Sequence, residues 1–202
     1  MKLFYSPASP FVRKVLVLAS ERGLRNQITL VDCAVSPIAI DPSVRAHNPT
    51  GKIPTLLLGD GTALYDSRVI VDYLDTLPGG PSLLPVSGPG RLQALVTQSL
   101  ADEMIDAAVL MRYETFLRPE ALRWPEWIEG QRTKIRASLD VLEQGAERLA
   151  QTFDLGAIAA ACAIGYLELR FPEEPWRASR PRLSGWYQEI LTRPSLAQTM
   201  PR

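Results

Sequence analysis

The chain turns on Asn48-Pro49-Thr50-Gly51-Lys52-Ile53-Pro54-Thr55-Leu56-Leu57-Leu58, which continues through Gly59-Asp60-Gly61 to Tyr65-Asp66-Ser67. This stretch reads as a loop, a strand, a tight turn, a second strand and a helix that opens at Asp66-Ser67. Two short apolar runs flank Gly59-Asp60-Gly61, whose residues tolerate positive φ, and that arrangement is a hairpin signal. Pro54 cannot donate to a ladder, so it belongs at a strand entrance, and the Ile53–Pro54 bond at such a bend is a candidate for the cis isomer. Ile53, just ahead of it, then turns its backbone N–H and C=O outward, where an extended peptide-like ligand can pair with them. After Asp66-Ser67, the residues Val69, Ile70, Tyr73 and Leu74 recur at helical spacing. A helix N-terminus carries free N–H groups and partial positive charge, so it can hold a carboxylate. Taken singly, a proline that starts a strand and a serine that caps a helix are ordinary. Together, with Lys52 beside them, they describe an edge and an anion hole.

Working outward, Lys2–Tyr5 is a short β-like run and Ser6-Pro7-Ala8-Ser9-Pro10 a turn. From Phe11 the period becomes helical through Val12, Val15, Leu16 and Ala19, with Gly23 as the stop. Residues 28–31 form a second strand, giving a β-α-β unit with parallel neighbours. Pro37 and Pro42 break any long helix over 35–45. Residues 78–90 are dense in Pro and Gly, which marks a linker. Beyond it strand signals vanish, and helical patterns run over 91–117, 127–150, 154–170 and 182–192, as in Ile135, Leu139, Leu142, Ala146 and Leu149. Asp154 caps the third of these, which is apolar on every side and therefore predicted to be the buried core. The expected organisation is an α/β domain over 1–78, a linker over 79–90 and an all-helical domain over 91–202.

With 22 basic and 22 acidic side chains the net charge is zero. Nucleic acid and anionic membranes, which need a basic surplus, are not expected partners. No apolar run approaches the ~18 residues of a membrane span, and Met1–Pro7 breaks too early for a signal peptide, so a cytoplasmic protein is expected. Cys33 and Cys162 read as reduced and structural, no cysteine has the neighbours of a metal site, and the lone His47 sits in a loop without the makings of a triad.

The chain resembles the cytosolic glutathione S-transferases, of a bacterial, serine-bearing type, over essentially its whole length. The resemblance rests on Ser9-Pro10-Phe11-Val12-Arg13, on Asn48–Leu56, on Asp66-Ser67, on Ala161-Cys162-Ala163-Ile164-Gly165-Tyr166-Leu167 and on Arg193-Pro194-Ser195. It implies a thioredoxin-like N-terminal domain that binds glutathione, an all-helical C-terminal domain that helps to bind a second substrate, and a homodimer. It also implies roles at the matching positions. The Ile53 backbone, before cis-Pro54, pairs with the cysteinyl part of glutathione; Ser67 takes the γ-glutamyl α-carboxylate, Asp66 the α-amino group, and Lys52 lies near a ligand carboxylate. Family members often carry Glu where Asp66 stands, so its reach is shorter by one methylene.

Ser9 occupies the position of a catalytic hydroxyl or thiol in such proteins. A serine hydroxyl at a helix N-terminus donates a hydrogen bond to a thiolate, and the helix dipole adds to it, so both favour the charged nucleophile. Tyr5 and Ser6 compete for this role. Serine at position 9 also argues against thiol–disulfide exchange, which needs a protein cysteine there. For the second substrate, the resemblance points to Phe11 and, on the first C-terminal helix, to Met104, Ala108, Met111, Tyr113 and Phe116. Asp102, Glu103 and Asp106 read as a solvated acidic face. The expected activity is conjugation of glutathione thiolate to small hydrophobic electrophiles. A glutathione-dependent isomerase, lyase or peroxidase and a non-catalytic glutathione-binding protein are the rivals.

Overall fold

A computed structural model describes residues 1–202, which form two compact units, one of residues 1–86 with 194–202 and one of residues 87–193. In the first unit, β1 (Lys2–Tyr5) leads through α1 (Pro10–Glu21) to β2 (Thr29–Asp32), and a short α2 (Pro42–Arg45) precedes β3 (Thr55–Leu57), β4 (Ala63–Leu64) and α3 (Ser67–Thr76). The sheet order is β2-β1-β3-β4, with β1 parallel to β2 and antiparallel to β3, and β3 antiparallel to β4. The hairpin forms where the sequence places it, but only Gly61 (φ +90°) uses the left-handed region. The Gly61 N–H donates to the Leu58 C=O (3.2 Å) and the Leu58 N–H to the Thr62 C=O (2.8 Å), so the loop has three residues and one αL position instead of two. Gly23 (φ +69°) stops α1 as read: its N–H reaches the Ser20 C=O and the Leu24 N–H the Ala19 C=O, which closes the last carbonyls of the helix.

The expected linker is in part a packed element. Arg22 donates from its guanidinium to the C=O groups of Leu77 and Gly80, and the Asp75 carboxylate accepts from the Leu83 and Leu84 N–H groups. A Cβ at Gly79 would meet the Arg22 C=O at 2.4 Å, so the Gly79-Gly80 pair is there for close approach to the end of α1. The chain's last residues also depart from the expected division. Pro194–Arg202 belongs with the first unit. Buried Arg13 donates to the Leu196 C=O (3.2 Å), and the Ser195 hydroxyl donates to the Glu21 carboxylate (2.5 Å).

The second unit is helical throughout, with α4 (Gly88–Phe116), α5 (Pro125–Gln144), α6 (Ala146–Gln151), α7 (Leu155–Arg170) and α8 (Pro181–Ile190); the closing α9 (Pro194–Ala197) lies in the tail just described. The single helix expected over 127–150 is broken at Gly145, whose backbone (φ −89°, ψ 4°) leaves the helical region between α5 and α6. As expected, α7 is the core: every side chain from Leu155 to Leu167 is buried. Its cap is more elaborate than the sequence suggests. Asp154 accepts from the Ala157 N–H (2.9 Å) and from Arg148 (3.1 Å), and Arg148 also donates to the Thr97 hydroxyl on α4 (2.8 Å). Asp102, read as solvated, is buried on α4, while Glu103 and Asp106 are exposed.

Gly156 sets the distance between α4 and α7, because a Cβ there would lie 2.8 Å from the Thr97 Cβ and 2.9 Å from the Ala94 C=O. The backbone of α4 cannot swing aside as a side chain tip would. Gly156→Ala is therefore expected to destabilise the protein by about 2 kcal/mol, as overpacked cores do. For a chain of this length that corresponds to a fall in Tm of about 4–8 °C. An unchanged Tm in thermal denaturation would show that the two helices separate freely.

Candidate functional site

Strand register gathers the candidate residues of the first unit at one end of its sheet. Phe4 pairs with Thr55, so the end of β1 lies beside Pro54. Leu56 pairs with Leu64, which brings Tyr65 and Asp66 back to the same end. The C-terminal end of β1 leads directly into Ser9 and α1. Ser9, Ile53–Pro54 and Asp66–Ser67 are thus neighbours by topology, although 58 positions separate Ser9 from Ser67 in sequence.

Ser9 is the N-cap of α1, with extended backbone (φ −79°, ψ 118°), and its hydroxyl oxygen accepts from the Val12 N–H at 3.3 Å. That bond uses an oxygen lone pair and leaves the hydroxyl proton for another acceptor. Pro10 follows at the first helical position, where its missing N–H costs nothing. The competitors differ in setting: Tyr5 ends β1, and Ser6 contributes its C=O to the Ser9 N–H (3.1 Å), so neither caps the helix.

The Ile53–Pro54 peptide is cis, as is Tyr65–Asp66. Ile53 precedes β3 and takes no part in the ladder, so its N–H and C=O are available at the sheet's end. At α3 the ordinary reading makes Ser67 the cap, but Asp66 is the cap, accepting from the Arg68 N–H at 2.9 Å through Oδ1. Ser67 is the first helical residue and is buried, at 2% exposure. The Ser67 and Val69 N–H groups at this terminus have no intrahelical partner. Oδ1 of the exposed Asp66 is engaged in capping, while Oδ2 is free to face a cation. Lys52 is exposed beside this loop.

One organising residue escapes the sequence reading. Asn48, 1% exposed, donates through Nδ2 to the Lys52 C=O (3.1 Å) and the Thr55 hydroxyl (3.0 Å) and accepts through Oδ1 from the Thr50 N–H (3.0 Å) and hydroxyl (2.8 Å). The buried Thr55 hydroxyl donates in turn to the Lys52 C=O (2.9 Å). Together these bonds pin the loop that delivers Ile53. The available signal is Asn followed two residues later by Thr, which suits an Asx turn. Gly51 (φ +64°) completes the bend, and a Cβ there would meet Ile40 at 2.6 Å. Beside the same sheet end, Cys33 donates its N–H to the Tyr5 C=O (3.1 Å), and burial pushes its thiol up from the ordinary range.

The family models for the glutathione S-transferase N-terminal domain and C-terminal domain match residues 8–77 and 125–189. A relative from Escherichia coli K12, the uncharacterized GST-like protein YibF, is 36% identical and matches over 100% of this chain and 98% of its own length. The chain belongs to the glutathione S-transferase family. Its thioredoxin-like α/β unit and all-helical unit are the two parts of the glutathione transferase fold, as the resemblance implies. A solved glutathione transferase family member from Pseudomonas fluorescens Pf-5, with bound glutathione, superposes with a TM-score of 0.98 at 48% identity, covering 100% of this chain and 98% of that one. A second Pf-5 structure, with bound S-(propanoic acid)-glutathione, gives 0.93 at 47% identity, covering both chains fully.

The second-substrate candidates of this transferase family member fall in different settings. Phe11 is half-buried on α1. Met104, Ala108 and Met111 on α4 are 1–2% exposed and present almost no surface, Tyr113 is half-buried, and Phe116 is exposed. No group of three His, Cys, Asp or Glu is placed to hold a metal ion, and no helix is long and apolar enough to cross a membrane.

Proposed function

We propose that the protein is a glutathione transferase in which Ser9 stabilises the glutathione thiolate for attack on a small hydrophobic electrophile. The observation that carries this reading is the meeting, at one end of the sheet, of the Ser9 cap with Ile53 and the N-terminus of α3. In it, the Ile53 backbone pairs with the cysteinyl part of glutathione in an extended arrangement. Ser67 and the free N–H groups of α3 hold the γ-glutamyl carboxylate, Asp66 Oδ2 faces the α-amino group, and Lys52 faces a ligand carboxylate. The Ser9 proton then points at sulfur, and a hydrogen bond to the charged form lowers the thiol pKa. Attack on the electrophile follows from the thiolate, with no metal in the reaction. In the helical unit, Tyr113 is the proposed contact of the second substrate, with the buried Met104, Ala108 and Met111 shaping the helix behind it. The S-(propanoic acid)-glutathione bound by the Pf-5 relative is a thioether of the type that conjugation yields, which favours transfer over isomerase, lyase or peroxidase chemistry. The proposed setting is a cytoplasmic homodimer acting in detoxification, with no nucleic-acid or membrane partner.

The test is a titration of the protein with glutathione, following binding heat and thiolate ultraviolet absorbance together. Binding with thiolate present at neutral pH is the expected result. Binding without thiolate would sink the catalytic reading in favour of a non-catalytic glutathione-binding module, and no binding would leave family membership without its usual ligand.

A further inference from the structure

The helical unit pairs most of its arginines with carboxylates. Arg118 pairs with Glu114, Arg148 with Asp154, Arg180 with Asp140 and Arg182 with Glu143; Glu129 and Glu174 serve Arg132 and Arg136, and Glu168 serves Arg177. Arg123 donates to the Arg118 C=O instead, and Arg112 toward the end of α4 and Arg170 at the end of α7 stand apart. Neither has a carboxylate partner, and the Arg170 Nε is buried without a hydrogen-bond partner. α4 and α7 pack against one another. The Arg170 guanidinium lies 5.9 Å from the Tyr166 ring one turn earlier, and the Arg112 guanidinium stacks on Phe116 at 3.6 Å.

Cations near helix C-termini complement the dipole, and that accounts for Arg170 in the last turn of α7. It does not account for a buried, unbonded Nε, because an unsatisfied buried donor is costly. Nor does it account for two guanidinium groups held within reach of each other's charge, an influence that, after burial, pushes Arg112 down from its ordinary range. Tyr113 and Tyr166 complete the group. Burial holds both phenols above their ordinary range, which keeps them protonated as hydrogen-bond donors. Two planar guanidinium forks and two phenolic donors, with no acid among them, match a planar anion with two acceptor oxygens.

We infer that Arg112 and Arg170, with Tyr113 and Tyr166, form a carboxylate-recognition site, and that the second substrate is an electrophile whose apolar body carries a carboxylate. The naming of the ligand as second substrate rests on the transferase reading. The composition of the cluster stands apart from it.

Binding of S-(2-carboxyethyl)glutathione and of its neutral counterpart, S-(2-carbamoylethyl)glutathione, measured by calorimetry on the full-length protein, tests the inference. The carboxylate is expected to bind about tenfold tighter or more, the worth of a hydrogen bond between charged groups. Arg112→Gln and Arg170→Gln should each reduce that ratio several-fold toward one, with affinity for glutathione itself retained as the sign that each variant is folded. Arg112, with no nitrogen buried and unbonded, is the safer of the two substitutions. Equal affinity for the two conjugates in the wild type, or a preference that survives in both variants, overturns the inference while the transferase reading stands. Failure of the wild type to bind glutathione at all overturns that reading, and the naming of the substrate falls with it.

Discussion

Ser9→Gly is expected to lower kcat/KM for glutathione conjugation by about 10- to 100-fold near neutral pH, while the protein stays folded and still binds glutathione. The magnitude follows from removing one hydrogen bond to a charged sulfur, worth about 1.5–3 kcal/mol. Glycine is the informative substitution because Ser9 also caps α1. Alanine removes the cap at about 1 kcal/mol, whereas glycine in that place costs only a few tenths. Equal losses of rate in Ser9→Gly and Ser9→Ala, with a Tm fall of about 2–4 °C in the alanine variant alone, would separate catalysis from capping.

The pH profile carries the sign. A bond donated to thiolate lowers the bound thiol pKa, so wild-type rate rises with pH and levels off below the free-thiol value of about 8.5. Without the hydroxyl the rise shifts upward, so the deficit is widest at pH 6–7 and shrinks toward pH 9. A uniform deficit at every pH would point to misplacement of glutathione instead. If Tyr5→Phe or Ser6→Ala reproduces the loss and Ser9→Gly does not, the hydroxyl has been assigned to the wrong residue.

The largest expected effect on stability lies at Asn48→Ala. Four hydrogen bonds of a buried side chain disappear, and two Thr50 donors and the Thr55 hydroxyl lose a partner. At about 0.5–1.5 kcal/mol net for each bond, partly offset by water reaching the exposed Thr50, the loss is about 3 kcal/mol. That corresponds to a fall in Tm of about 6–12 °C for a chain of this length. Glutathione affinity should drop with it, since the loop carrying Ile53 is no longer pinned. Asn48→Asp keeps the acceptor for Thr50 but sets a carboxylate against the Lys52 C=O, so it should be as damaging as alanine or more so. Near-wild-type Tm and affinity in both variants would mean that Thr55 alone holds the loop, through its bond to the same carbonyl.

What was legible in the sequence is what neighbouring residues decide among themselves. Caps are written within three or four positions, and Asp154 reads correctly because its carboxylate answers an N–H three residues on. The stop at Gly23 and the hairpin around Gly61 are local in the same way, as is the run of apolar residues that marks α7 as core. The candidate site was legible as separate pieces, Ser9 in one helix start, Pro54 in a strand entrance and Asp66-Ser67 in another helix start.

Other features depended on partners far along the chain. Gly79-Gly80 read as linker because nothing beside them names Arg22, 57 positions before Gly79, as the carbonyl they must approach. Pro194–Arg202 read as the end of the helical half, yet its anchors are Arg13 and Glu21 on α1. Asp102 read as solvated from the charges next to it, and it is buried. Arg112 and Arg170 carried no signal in sequence, since a missing partner is visible only when all other elements are in position.

Local propensity and spacing in the sequence by themselves determined the elements, their caps and the residue types that can bind an anion or polarise a thiol. Only the tertiary structure decided which of these meet. Strand register brings Ser9, Ile53 and Ser67 to one end of a sheet, and helix packing leaves Arg112 and Arg170 without acids. The reason is physical: a cap or turn closes over a few residues at small entropic cost, whereas a long-range contact forms only when the whole core orders the chain between its ends.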